Sequence, residues 1–324
     1  MTARTRVALA VAVVSAAAAT LAVGVALVQR SDGADEVRPS GTPPLVLELG
    51  VRSDPEARAL RRAAALYDDG QQPAAARIFA RYRSPQARVG AALARWPDGT
   101  VRALERLVRR YPDRALPRLQ LGLALLWQGR RAEAVAAWRG ARSVEPDSPS
   151  AVRAGELLFP NAADGLPVFI PSFEPPASLA RLRPDRQLAT LERRARRRDV
   201  RAKLLYGVAL QRLERPLSAR RQYDAAVALA PNDPEPLVAA AVARFDKERP
   251  GAAFARLGPL SRRFPESVSV RFHLGLLLLW LGDESGGRRQ LERARELDPS
   301  SPLAREATRF LQRLGDIDTG SKSD

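Results

Sequence analysis

The chain has 324 residues, no Cys and a single Met at its start, so disulfides, thiolate metal sites and Cys nucleophiles are excluded outright. Its formal net charge is +17, and nearly all of the positive charge is Arg, the only lysines being Lys203, Lys247 and Lys322. One His, His273, leaves no pair from which a typical zinc site could be built.

The first 30 residues read as a membrane segment. Arg4 and Arg6 precede an uncharged run from Val7 to Val28, and its 22 residues would span roughly 33 Å as a helix, about the thickness of a bilayer core. The basic flank places the N-terminus in the cytoplasm and the rest of the chain across the membrane. Two outcomes stand: a retained single-pass anchor, favoured by the length of the run, or a signal peptide cleaved near Gly24-Val25-Ala26 or Ala17 to Ala19, which would leave a secreted protein. Residues 31–54, with Ser31-Asp32-Gly33 and a Pro/Gly-rich stretch from Pro39 to Pro44, are expected to form a flexible linker.

Beyond the linker the chain repeats itself. Gly207, Ala241 and Gly275 lie 34 residues apart, and Ala219, Ala253 and Gly287 fall into the same register. So do Tyr223, Leu257 and Leu291, then Pro231, Pro265 and Pro299. A fixed period of this length specifies a solenoid in which each unit stacks on its neighbours. Within a unit, the small residues let two helices approach closely and the Pro stops the second helix. The front half carries Leu121-Gly122, Leu125, Gly129, Ala134, Trp138, Ala141 and Pro146, preceded by shorter units around Leu66 to Tyr82 and Leu93 to Pro112. Leu107 to Gly129 is about half identical to Leu260 to Gly282, including an Arg-Arg-aromatic-Pro-acid step and a Leu-Leu-Trp end. This agreement points to an internal duplication: two blocks of three repeats, 55–158 and 200–314, each closed by an amphipathic capping helix (150–158 and 302–314). A Pro-rich linker and a basic helix fill 159–199, and 315–324 is expected to be a disordered tail.

These motifs resemble bacterial members of the tetratricopeptide repeat family that carry an N-terminal anchor or signal. The matches are Tyr206-Gly207, Leu210, Ala219, Tyr223, Ala226 and Pro231, and again Leu274-Gly275, Leu278, Gly282, Gly287, Leu291, Ala294 and Pro299. Arg244 departs from the pattern, standing where the family prefers Tyr or Leu. The resemblance implies an all-α fold, a right-handed solenoid of antiparallel helix pairs. It also implies a concave groove lined by the first helix of each repeat, through which a protein or peptide partner would be held. In the front block that groove maps to Leu119, Leu123, Leu126 and Trp127. In the rear block it maps to Arg201, Leu204, Val208, Gln211, Arg212, Val238, Val242, Phe245, Phe272, Leu276, Leu279 and Trp280. Leu119, Leu123, Trp127, Val208, Arg212, Val242, Phe245, Phe272, Leu276 and Trp280 are the candidate partner-binding residues. The set lacks the Lys and Asn residues with which some members clamp a chaperone's terminal carboxylate.

Two segments invite other chemistry. Arg193, Arg194, Arg196, Arg197, Arg198 and Arg201 form the densest basic cluster and could hold an anionic lipid or envelope polymer. No aromatic residues interleave with them to stack bases, which argues against nucleic acid. Residues 165–176, GLPVFIPSFEPP, are apolar and too Pro-rich for a helix. Val168, Phe169, Ile170 and Phe173 are expected to pack onto one of the blocks as a structural bridge, covering an otherwise exposed apolar groove. No catalytic motif accompanies His273, no phosphate loop ends the Gly282–Gly287 stretch, and no cofactor site is read. The expectation is a membrane-tethered, non-enzymatic scaffold for protein partners, with assembly of secreted or respiratory proteins as one such role.

Overall fold

The computed structural model describes residues 39–160, 162 and 165–320; the expected membrane segment lies outside them. Every regular element among the described residues is helical. The chain divides into two units, the front one ending at Asn161 and the rear one beginning at Ala162.

The front unit is three helical hairpins and a cap. Its helices are α1 (Pro55–Asp68), α2 (Gln72–Phe79), α3 (Pro85–Leu93), α4 (Thr100–Arg110), α5 (Ala115–Trp127), α6 (Arg131–Val144) and α7 (Pro149–Leu158). Local chemistry sets these starts. Asp54, Ser84 and Ser148 each accept a hydrogen bond from the backbone N–H three residues on, and each is followed by Pro at the first helical position. Gly129 ends the first helix of the third hairpin with φ 78°, a left-handed turn that glycine adopts without strain.

The rear unit opens with a short turn of helix, α8 (Ala177–Ala180), and α9 (Pro184–Ala195). Three hairpins follow: α10 (Val200–Arg212) with α11 (Pro216–Leu229), α12 (Pro234–Val242) with α13 (Gly251–Arg263), and α14 (Val268–Trp280) with α15 (Glu284–Leu297). The cap, α16 (Pro302–Gly320), runs past Leu314, where the expected cap ended, so 315–320 is helix rather than tail. The units share a plan: α3 and α12 have nine residues each, α5 and α14 thirteen, α6 and α15 fourteen.

Packing inside the hairpins follows the 34-residue register. Gly122 on α5 lies under Trp138 of α6, whose indole Nε1 donates to the Leu119 carbonyl at 3.3 Å. Gly207 on α10 lies under Tyr223 of α11 in the same way. Trp138 and Tyr223 are buried, as is Leu291 in the third rear hairpin. Arg244 fits the position of a packing residue by turning its head to polar partners. It donates to the Ala240 carbonyl at 2.6 Å and pairs with Asp224 at 2.8 Å, while its stem stays covered.

Candidate functional site: two strapped grooves

In each unit an extended segment that precedes the hairpins lies across their first helices. The front segment corrects the reading of 31–54 as a flexible linker. Residues 43–49 dock on the front unit, where Pro43 and Leu49 are buried and Leu45, Val46 and Leu47 pack against the core. Three side chains hold its carbonyls. Tyr67 donates through its hydroxyl to Pro43 O at 2.7 Å, Gln120 through Nε2 to Val46 O at 3.3 Å, and Gln86 through Nε2 to Glu48 O at 3.4 Å. The Glu48 carboxylate accepts from Ser150 N at 2.7 Å, at the start of α7, where helix N–H groups and the helix dipole favour an anion. Burial pushes the Tyr67 hydroxyl up to about 12, which keeps it a donor at any ordinary pH.

The rear segment, 166–174, docks on the rear unit. Phe169 is 1% exposed, stacked on the His273 ring at 5.1 Å between centroids and edge-on to Tyr223 at 5.6 Å. Ile170 and Phe173 pack against the apolar core, Val168 is half-buried, and the Arg201 guanidinium sits over the Phe173 ring at 5.0 Å. Three side chains accept its N–H groups. Phe169 N donates to Gln211 Oε1 at 3.1 Å, Ile170 N to His273 Nε2 at 3.0 Å, and Ser172 N to Glu235 Oε1 at 2.6 Å. Gln211 Oε1 is itself oriented by the Tyr223 hydroxyl at 2.6 Å. A cavity of about 390 Å³ opens beside this strap, lined by Ser172, Phe173, Arg201, Glu235, Ser269 and Ser301 among others.

His273 is fully buried, and its tautomer is fixed by its partners. Nδ1 lies 2.7 Å from the Ser269 carbonyl and must donate; Nε2 receives the Ile170 N–H and must be bare. Burial lowers the imidazole pKa to about 4, against a smaller upward pull from the Ser269 carbonyl. The unfolded value is 6.5. A group whose folded pKa is depressed contributes stability that is complete above its unfolded pKa and is lost as pH falls through the window down to the folded one. Between pH 7 and pH 4 the rear unit is expected to lose about 3 kcal/mol from this residue. His273→Gln can serve both partners without titrating, and should flatten that slope. Hydrogen exchange of α10–α15 peptides against pH checks both results.

The ten candidate groove residues divide by accessibility. Leu119, Leu123, Val242, Phe272 and Leu276 are buried within their own units. Trp127, Val208, Phe245 and Trp280 are partly exposed, and Arg212 is exposed. Phe245 and Trp280 form an edge-to-face pair 5.3 Å apart. The basic cluster lies where α9 ends and α10 begins, with Arg193, Arg194, Arg196, Arg197, Arg198 and Arg201 all exposed. Arg196 pairs with Glu192 at 3.0 Å. Two of these arginines fall in the last turn of α9, where positive charge suits the helix dipole. Among the described residues no group of three His, Cys, Asp or Glu side chains could hold a metal, and no helix is long and apolar enough to cross a membrane.

Sequence reasoning missed Glu48, Tyr67, Gln86, Gln120 and Glu235 as strap contacts. The signal available was the likeness of the two straps. Pro43, Val46, Glu48 and Leu49 sit at one constant offset from Pro167, Ile170, Ser172 and Phe173.

No family model matches the chain, and no curated protein matches it. Solved structures do. A tetratricopeptide repeat protein from Parabacteroides merdae is 9% identical, with 80% of this chain and 98% of that one covered and a TM-score of 0.34. Yeast Tom70 is 14% identical over 87% of this chain and 68% of its own, with a TM-score of 0.32. YrrB, a tetratricopeptide repeat protein with an unusual peptide-binding site, is 15% identical over 64% of this chain and 98% of its own, with a TM-score of 0.31. The fold itself is read from the chain: stacked antiparallel helical hairpins with a 34-residue register in the rear unit.

Proposed function

We propose that this chain is a non-catalytic scaffold for protein partners, tethered to a membrane through residues 7–28 with its repeats on the extracytoplasmic side. The observation that carries the scaffold reading is the pair of straps. Each unit already holds an extended segment by side-chain hydrogen bonds to its backbone and by apolar contacts, which is the chemistry of a peptide-holding surface. The tether and the orientation are supported by the uncharged run and its Arg4–Arg6 flank.

Because the straps and the cores take up Leu119, Leu123, Val242, Phe272 and Leu276, the anchors open to a partner are Trp127 in the front unit and Val208, Phe245 and Trp280 in the rear. Partly exposed aromatics of this kind tend to dominate binding energy. Capture of partners from native membranes, comparing the full chain with Trp127→Ala/Trp280→Ala, tests the assignment. Loss of a defined protein from the double variant, with its helix content intact by circular dichroism, is the expected result. Undiminished capture would remove these anchors from the reading.

The exposed arginines at the α9–α10 junction favour a second reading, in which the chain binds an anionic lipid or envelope polymer. Salt separates the two. Binding carried by those arginines should weaken steeply between low and physiological ionic strength, whereas apolar anchoring should not.

A further inference from the structure

Each strap ends beside the N-termini of its unit's first helices, and there the two units differ. In the front unit two carboxylates sit on helix N-termini. Glu48 of the strap accepts from Ser150 N at 2.7 Å at the start of α7, and Glu145 accepts from Ala115 N at 2.9 Å at the start of α5. The rear counterparts of α7 and α5 are α16 and α14, since Glu145-Pro146 and Ser148-Pro149 correspond to Asp298-Pro299 and Ser301-Pro302. Ser172 stands in the place of Glu48. Asp298, one methylene shorter than Glu145, turns its carboxylate to Ser300 N and Oγ at 3.1 and 2.7 Å. The rear cavity of about 390 Å³ lies at this place, with Ser172, Ser267, Val268, Asp298 and Ser301 in its wall.

The rest of the wall carries both charges. Ser269 is 3% exposed, and its Oγ, close to the Glu235 carboxyl, makes no hydrogen bond of ordinary geometry among the described residues. Buried hydroxyls are ordinarily paired. Glu235 replaces the neutral Gln86 of the front unit and is 9% exposed. Its Oε1 takes Ser172 N, and no Arg or Lys among the described residues pairs with it, so burial pushes its pKa up. Arg201, over the Phe173 ring, is the one cation of the wall, and Val200, Leu204 and Val268 form its apolar part.

We propose that the rear cavity binds a free α-amino acid with an apolar side chain. Its carboxylate takes the role that Glu48 and Glu145 play in the front unit, at the starts of α14 and α16 with the Ser269 hydroxyl and Arg201. Its ammonium pairs with Glu235, and its side chain lies against Val200, Leu204 and Val268. A bare anion would face Glu235, and a bare cation would face the helix N-termini and Arg201, so both charges are needed together. The cavity is of the size that holds a small molecule. This site goes beyond the scaffold reading and does not depend on it.

Titration calorimetry of the full chain with L-leucine, isocaproate and isoamylamine tests the requirement for two charges. Leucine should bind at least about tenfold tighter than the acid lacking the ammonium or the amine lacking the carboxylate, because each loses a charged hydrogen bond. Two variants copy the front unit. Ser172→Glu gives the α16 N-terminus a carboxylate from the strap and should weaken leucine at least about tenfold, while the Phe169 and Ile170 amides exchange as slowly as in the parent. Glu235→Gln keeps an acceptor for Ser172 N and should bring the affinities for leucine and isocaproate together. No binding of leucine at millimolar concentration, leucine no tighter than isocaproate in the parent, or an unchanged leucine affinity in either variant would overturn the proposal.

Discussion

Phe169→Ala is expected to destabilise the rear unit by about 3–5 kcal/mol and to leave the front unit unchanged. The ring is 1% exposed and touches two other rings, so truncation opens a cavity in the middle of the strap's footprint. The loss should spread along the strap. The amides of Phe169, Ile170 and Ser172 are within three residues of that cavity, and their acceptors Gln211, His273 and Glu235 depend on the strap staying down. The Tyr223 hydroxyl would keep Gln211 oriented, so α10 and α11 should persist as helices. Denaturant unfolding followed by hydrogen exchange separates the units in one experiment. A rear-unit loss below about 1 kcal/mol, the level of an ordinary surface change, would mean that the strap is an ornament rather than part of the core.

Gly207→Ala is expected to cost up to about 2 kcal/mol net. Two effects oppose each other. Alanine is the better helix former by about 1 kcal/mol. Against that, a Cβ on residue 207 would lie 2.2 Å from Cε1 of Tyr223, a ring with no exposed surface and a hydroxyl bonded to Gln211. Overpacking of this kind costs about 1–3 kcal/mol and sometimes more. The ring cannot retreat without releasing Gln211, and with it the Phe169 N–H, so the collision should be felt at the strap. Gly122→Ala meets Trp138 Nε1 at the same 2.2 Å and should behave alike in the front unit. Gly155→Ala is the control: its Cβ would find nothing nearer than Arg142 Nε at 3.7 Å, so the helix propensity gain should win. Thermal unfolding of the three variants checks the order. Tolerance of alanine at 207 and 122 would contradict the packing described here.

The collision sites were legible in the sequence because close helix approach needs a small residue at a fixed place in every repeat. Gly122, Gly207 and Gly275 keep that place in the sequence itself, as do the hairpin ends and the prolines that stop the second helices. Straps are written in a weaker code. A side chain gripping a backbone N–H or C=O imposes no periodicity, so Gln86 and Glu235 look like ordinary first-turn residues. The rear strap announced itself through two phenylalanines in a Pro-rich stretch. The front strap, with Leu45 and Leu49 in their place and Pro43-Pro44 before them, read as a linker. Position rules named the groove residues; that the chain lays its own segment on them was legible for 165–176 and not for 43–49. Val242, Phe272 and Leu276 looked like partner contacts when they are floor. His273 was visible as a polar residue beside a packing Leu; its duty as a bare acceptor depends on Ile170, 103 positions away in the chain.

Site-resolved hydrogen exchange of Phe169, Ile170 and Ser172 in the full chain tests the central claim most directly, that each groove is filled by its own strap. If the strap is seated as described, these three amides exchange orders of magnitude more slowly than an unfolded peptide of the same sequence. The exposed amides of Glu174 and Ser178 just beyond them should exchange fast. Exchange at the unfolded rate throughout 168–173 would contradict the account and leave the rear groove open.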